Sequence, residues 1–240
     1  MTPQPDPGGR PPRPAGRPSR LALAALIAVL STFTVAAVAM GRDADRHGQK
    51  GHTMRHGGRI SHREFGFRQD MRKLWEAHVT WTRLAVISLT TDSPDTSATV
   101  GRLLQNQTDI GNAVKPFYGA AAGNQLTALL REHILIAADL IAAARAGDAA
   151  GVATQSARWT ANADQIAAFL HSANPRHFKL AEMEAMMHEH LRLTTNEVLA
   201  RLHQDWDADV AAYDAIHVQA LNMADMLSTG IVAQFPRRFR

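Results

Sequence analysis

The sequence predicts an all-α protein: an up-and-down bundle of about six helices with an internal duplication, preceded by one N-terminal transmembrane or signal helix. Three observations carry this. From Glu64 onward, apolar residues recur at helical spacing, and no segment sustains the alternation of a strand. Gly, Pro and Asp fall where helices should start or stop. Residues 21–40, LALAALIAVLSTFTVAAVAM, form twenty residues without a charge, long enough to cross hydrocarbon as a helix.

The chain divides into five segments. Residues 1–20 are a tail rich in proline and arginine, extended and unable to build a core. Arg10, Arg13, Arg17 and Arg20 precede the apolar run and place this tail on the cytoplasmic side. Residues 21–40 are either a transmembrane anchor or a signal peptide. Length favours the anchor, and the small residues Ala37-Val38-Ala39 favour cleavage after Ala39. Either way the remainder is expected outside the cytoplasm, held to the membrane through residues 21–40 or released into the periplasm or medium. Residues 41–62 are a polar linker carrying His47, His52, His56 and His62 and read as a flexible tether. Residues 63–235 are the bundle, and 236–240 a basic tail.

Within the bundle the expected helices run over 64–90, 96–115, 120–146, 148–172, 180–203 and 205–234. The first ends before Thr-Asp-Ser-Pro-Asp, and the second is stopped near Pro116. The third ends at Gly147, and Asp148 caps the fourth, which stops before Asn174-Pro175. The sixth ends before Pro236. Short connections make consecutive helices antiparallel.

The formal net charge of +4 invites an anionic partner, but its distribution removes that reading. Residues 74–234 hold ten Lys/Arg against seventeen Asp/Glu, so the bundle is acidic and only its flanks are basic. A basic flank beside a membrane meets lipid headgroups or water, and a nucleic-acid role is rejected. With no cysteine, disulfides, thiol nucleophiles and thiolate metal sites are excluded. No glycine-rich phosphate loop or Gly-x-Ser-x-Gly elbow is present.

A duplication is legible. Leu129-Leu130-Arg131-Glu132-His133-Ile134 parallels Met186-Met187-His188-Glu189-His190-Leu191, and the segments of Asn106/Asp109 and Asn162/Asp164 lie upstream of each. Trp75 to Val79 likewise parallels Trp206 to Val210. Two related halves are expected.

Polar residues interrupt the apolar seams. His78 shares a stripe with Leu74, Trp81 and Ala85; His133 with Leu126, Leu130 and Leu140; His190 with Met183 and Met187; Asp209 with Tyr213 and Ile216. Left unpaired inside, each would cost several kcal/mol. His78, His133, His190 and Asp209 are therefore the expected ligands of a divalent metal, with Zn, Fe, Cu or Mn suited to imidazole and carboxylate. Asp109, Glu132, Asn162, Asp164 and Asp225 are the expected contacts to a bound small molecule. Two alternatives stay open. One is a hydrogen-bonded network that fixes helix register in a structural or interaction domain of the cell envelope. The other is an enzyme using Glu132 or Glu189 as general base beside a histidine. The Glu-His pairs are adjacent in sequence, unlike the Glu-x-x-His of carboxylate-bridged di-iron bundles.

The segments LWEAHVTWTRLAVIS (74–88), RLLQNQTDIGNAVKPFYG (102–119), LTALLREHILIAADLI (126–141), RWTANADQIAAFL (158–170), HEHLRLTTNEVLARL (188–202) and DVAAYDAIHVQALNMADMLSTGI (209–231) resemble a bacterial family of small helical proteins. Some members carry the label acetylglutamate kinase. The resemblance spans about 74–235 and implies a helical fold without an activity; its motif positions here include His78, Asp109, Glu132, His133, Asn162, Asp164, His190, Asp209 and Asp225. Amino-acid kinases of that kind use an α/β sandwich with glycine-rich phosphate loops, and this chain has neither.

Overall fold

The computed structural model describes residues 60–240. The proline-rich tail, the apolar run 21–40 and His47, His52 and His56 lie outside the described residues. Among the described residues no helix is long and apolar enough to cross a membrane.

Five helices pack up and down: α1 (His62–Thr91), α2 (Thr96–Ala146), α3 (Ala149–Ala173), α4 (Leu180–His203) and α5 (Trp206–Gln234), followed by a 3₁₀ turn at Pro236–Phe239. Caps set the ends. Ser61 accepts from the Glu64 amide, Asp148 from Gly151 and Asp205 from Ala208, each satisfying a free N–H of a first turn. Asp92, Gly147 and Gln204 close α1, α2 and α4 in the left-handed conformation.

The expected second and third helices join into one element. Pro116 does not stop it, although proline removes a backbone donor and crowds the preceding turn, and the helical segment runs on to Tyr118. The break comes at Gly119, whose φ of 84° and ψ of 169° belong to a region open almost only to glycine. There the chain reverses. Arg131 donates to the Leu104 carbonyl at 3.0 Å, although a straight helix would hold residues 27 apart about 40 Å from one another. Gly111 and Gly123 meet where the arms cross: a Cβ on Gly111 would lie 2.6 Å from the Gly123 oxygen. Thus α2 is itself a hairpin, with arms 96–118 and 120–146.

The helices close into a ring, α1 lying against both α2 and α5, and α3 and α4 completing it. The main apolar core runs through its centre, built by Met71, Trp75, Ile110, Leu126, Ile166, Met183, Met187, Ile216 and Leu227 among others, with smaller clusters around Leu103 and around Ile141. The C-terminal residues join that core. Phe239 is buried, with its ring 5.2 Å from Phe67 and 5.5 Å from Phe117, and its carbonyl accepts from Ser61. The basic 236–240 segment is therefore docked on the start of α1.

Candidate functional site

The pairing of helices produces three equivalent hairpins rather than two halves. The first is α1 with the first arm of α2, the second is the other arm with α3, and the third is α4 with α5. Each brings one histidine to the centre. In the second, Asn162 donates its Nδ2 to the Leu129 carbonyl at 3.2 Å and turns its oxygen to His133 Nδ1 at 2.8 Å. In the third, Gln219 does the same, to the Met186 carbonyl at 3.1 Å and His190 Nδ1 at 3.2 Å. In the first the work is divided: Asn106 donates to the Leu74 carbonyl at 3.0 Å, while Gln107 Nε2 stands 3.1 Å from His78 Nδ1. Every carbonyl lies four residues before its histidine. Every amide that touches an imidazole lies 29 residues after it.

These amides decide the tautomer. An amide oxygen only accepts, so Nδ1 of His133 and of His190 carries the proton. Their Nε2 atoms then hold a lone pair. His133 Nε2 is buried with no hydrogen-bond partner. The rings gather: His133 and His190 centroids lie 5.9 Å apart, and His78 and His190 6.1 Å. His133 and His190 are buried; His78 is partly exposed. All three line one cavity of about 50 Å³, with Met186, Met187 and Met223.

The electrostatics follow from that setting. Burial, then the neighbouring His190, lowers the His78 imidazolium to about 3, and a hydrogen bond to Asn106 offsets this in part. Burial and His190 likewise bring His133 down to about 3, against an opposing hydrogen bond to Asn162. Burial lowers His190 too. All three are neutral at pH 7; His133 and His190 keep a lone pair on Nε2, whereas the Gln107 amide donating to His78 Nδ1 puts that ring's proton on Nε2.

Asp209 is not among them. It is buried at the first turn of α5, paired through both oxygens to Arg83 and, at 3.1 Å, to Arg201. Ten residues separate it from Gln219, a rise of about 15 Å along the helix. Glu197, fully buried on α4, shares Arg83 at 2.8 Å. Burial raises the Glu197 carboxyl despite Arg83, whereas the hydrogen bonds from Arg83 and Arg201 overcome burial and lower that of Asp209. This ion network joins α1, α4 and α5, and no sequence motif announced it.

Of the expected small-molecule contacts, only Asn162 reaches the histidines. Asp109 is partly exposed and accepts from Gln105 at 3.2 Å. Asp164 binds His188 Nε2 at 2.7 Å, and Asp225 pairs with Arg72. Glu132 is exposed and lines an open cleft of about 680 Å³ with Lys115, Arg131, Asp139 and Arg158. Glu189 is paired to Arg192 at 2.6 Å. The two glutamates considered as general bases thus stand at the surface side of their helices, one position away from histidines that point inward. Among the described residues no group of three or more His, Cys, Asp or Glu is disposed as it stands to hold a metal ion. Gln107 and Gln219 were missed in the sequence; the repeated 29-residue His-to-amide spacing was the signal that could have found them. Comparison with family models, with curated proteins and with solved structures gives no match.

Proposed function

We propose that the bundle is a metal-binding module, carried outside the cytoplasm on the N-terminal apolar run, with His78, His133 and His190 as its ligands. One observation carries the reading: three imidazoles from three equivalent hairpins converge on one cavity, two with Nδ1 protonated by an amide clamp. Metal-ligating histidines commonly donate the other ring N–H to such a partner, which fixes the tautomer and aims the free nitrogen. Here two such clamps, on His133 and His190, and an amide contact to His78 come from three separate helix pairs, an expensive arrangement for a core that apolar residues could fill.

A trigonal ion with metal–nitrogen bonds of roughly 2.0–2.1 Å would set the ring centroids about 5.5 Å apart. The spacings from His190 to its two neighbours, 5.9 and 6.1 Å, each exceed that by a few tenths of an ångström. Elemental analysis of protein purified without added metal, with thermal shifts on adding Zn, Cu, Fe or Mn, tests the proposal. One ion per chain, lost in His133→Leu, is the expected outcome. No stoichiometric metal and no shift would refute it.

The wider ring spacing favours a second reading, in which the triad is a register-fixing polar core of a structural or interaction domain of the envelope. It predicts that His133→Leu and His190→Leu leave stability unchanged or raised and that no metal alters the melting temperature.

A further inference from the structure

We infer, resting on the reading that the triad holds a metal, that its guest is a soft monovalent cation, Cu(I), bound by His78, His133 and His190 with thioether support from Met186, Met187 and Met223. Charge is the first argument. The residues lining the cavity include no carboxylate. Acids on the helices that carry the triad and its amides are paired elsewhere: Asp209 and Glu197 with Arg83, and Asp164 with His188. An ion entering the cavity meets only neutral donors and apolar walls, among them Ile110, Leu126 and Ile166. The cost of taking an ion out of water grows with the square of its charge, so a divalent guest faces about four times the penalty of a monovalent one. Structural Zn²⁺ sites offset this with thiolate ligands, and here there are none.

Donor chemistry is the second argument. Three methionines line the same small cavity as the three histidines. Thioether sulfur is a soft donor that selects Cu(I) over harder divalent ions. Placed singly, each methionine is ordinary core filler. Here three share a cavity also lined by His133, whose Nε2 is buried without a partner. Three imidazoles suffice for a trigonal Cu(I) centre, and a methionine can supply a fourth, longer contact without leaving its helix.

The test uses the full chain under anaerobic, reducing conditions. Cu(I) is titrated against a chromophoric Cu(I) chelator, and Ag(I), Zn(II) and Co(II) are titrated in parallel. Four proteins are compared: wild type, His133→Leu, Met187→Leu and Met223→Leu, each checked for helicity by circular dichroism. The expected result is one Cu(I) per chain, matched by Ag(I), with Zn(II) at least about 100-fold weaker. His133→Leu should weaken Cu(I) by about 100-fold or more, and one methionine variant by about tenfold with its fold intact. Zn(II) or Co(II) binding at the triad as tightly as Cu(I) would overturn this inference and leave the triad as a metal site. Methionine variants that bind Cu(I) as wild type would remove the thioethers from the proposal. Binding that survives in His133→Leu, or no binding of any of these metals, would overturn the metal reading itself.

Discussion

Acid should unfold the metal-free bundle well above the pH at which carboxylates protonate, and the histidine core sets how strongly. His78 and His133 are held at about 3, against 6.5 in an unfolded chain. Between those values the unfolded chain binds a proton that the folded core refuses, so lowering the pH favours unfolding. The stabilisation is complete above about 6.5 and disappears as pH falls toward 3. From pH 7 to pH 5 each histidine contributes a loss of about 2 kcal/mol, hence about 4 kcal/mol for the pair. His190 is lowered as well and adds in the same direction. Glu197, raised by burial, opposes the trend. Urea unfolding followed by circular dichroism at pH 7, 6 and 5, with chelator present and ionic strength fixed, measures the loss. His133→Leu should remove about 2 kcal/mol of it. A stability that changes by less than about 1 kcal/mol over this range, or a slope unaltered in His133→Leu, would refute a neutral buried triad.

Four further outcomes are expected. Asn162→Ala, which strands the His133 Nδ1 proton in the core, should cost about 1–3 kcal/mol, whereas His133→Leu at pH 7 without metal should stay within about 1 kcal/mol of wild type; urea midpoints compare them. Arg83→Met leaves Asp209 and Glu197 buried without their shared cation and should cost about 3–5 kcal/mol by the same measurement. Gly119→Ala forces a side chain into the reversal of α2 and should lower stability by about 1–3 kcal/mol, seen as an earlier thermal transition. Gly230→Ala drives a methyl to within 2.1 Å of the Phe178 ring and should cost about 1–3 kcal/mol in urea unfolding.

The histidines show how far pattern reading reaches. Their placement on the inner stripes of separate helices follows from 3.6-residue periodicity, which is local. Asp209 obeyed the same periodicity and also faces inward, yet it sits with Arg83 and Arg201 rather than with the histidines. Periodicity fixes the face of a helix on which a residue lies, not the height at which that helix meets its neighbours. Pro116 illustrates the converse: the sequence marked an interruption there, and the reversal came three residues later, where a backbone without Cβ permits it.

By itself, the sequence determined the helical class, most helix ends, the acidic bundle between basic flanks and the three inward imidazoles, because caps, breakers and periodicity act within a few residues. Only the tertiary structure decided that the bundle is three matched hairpins, which amide holds each imidazole, and which buried acids pair with arginine. Those facts depend on how far one helix slides along another, and that is settled by side chains interlocking across the core, many residues apart in the chain.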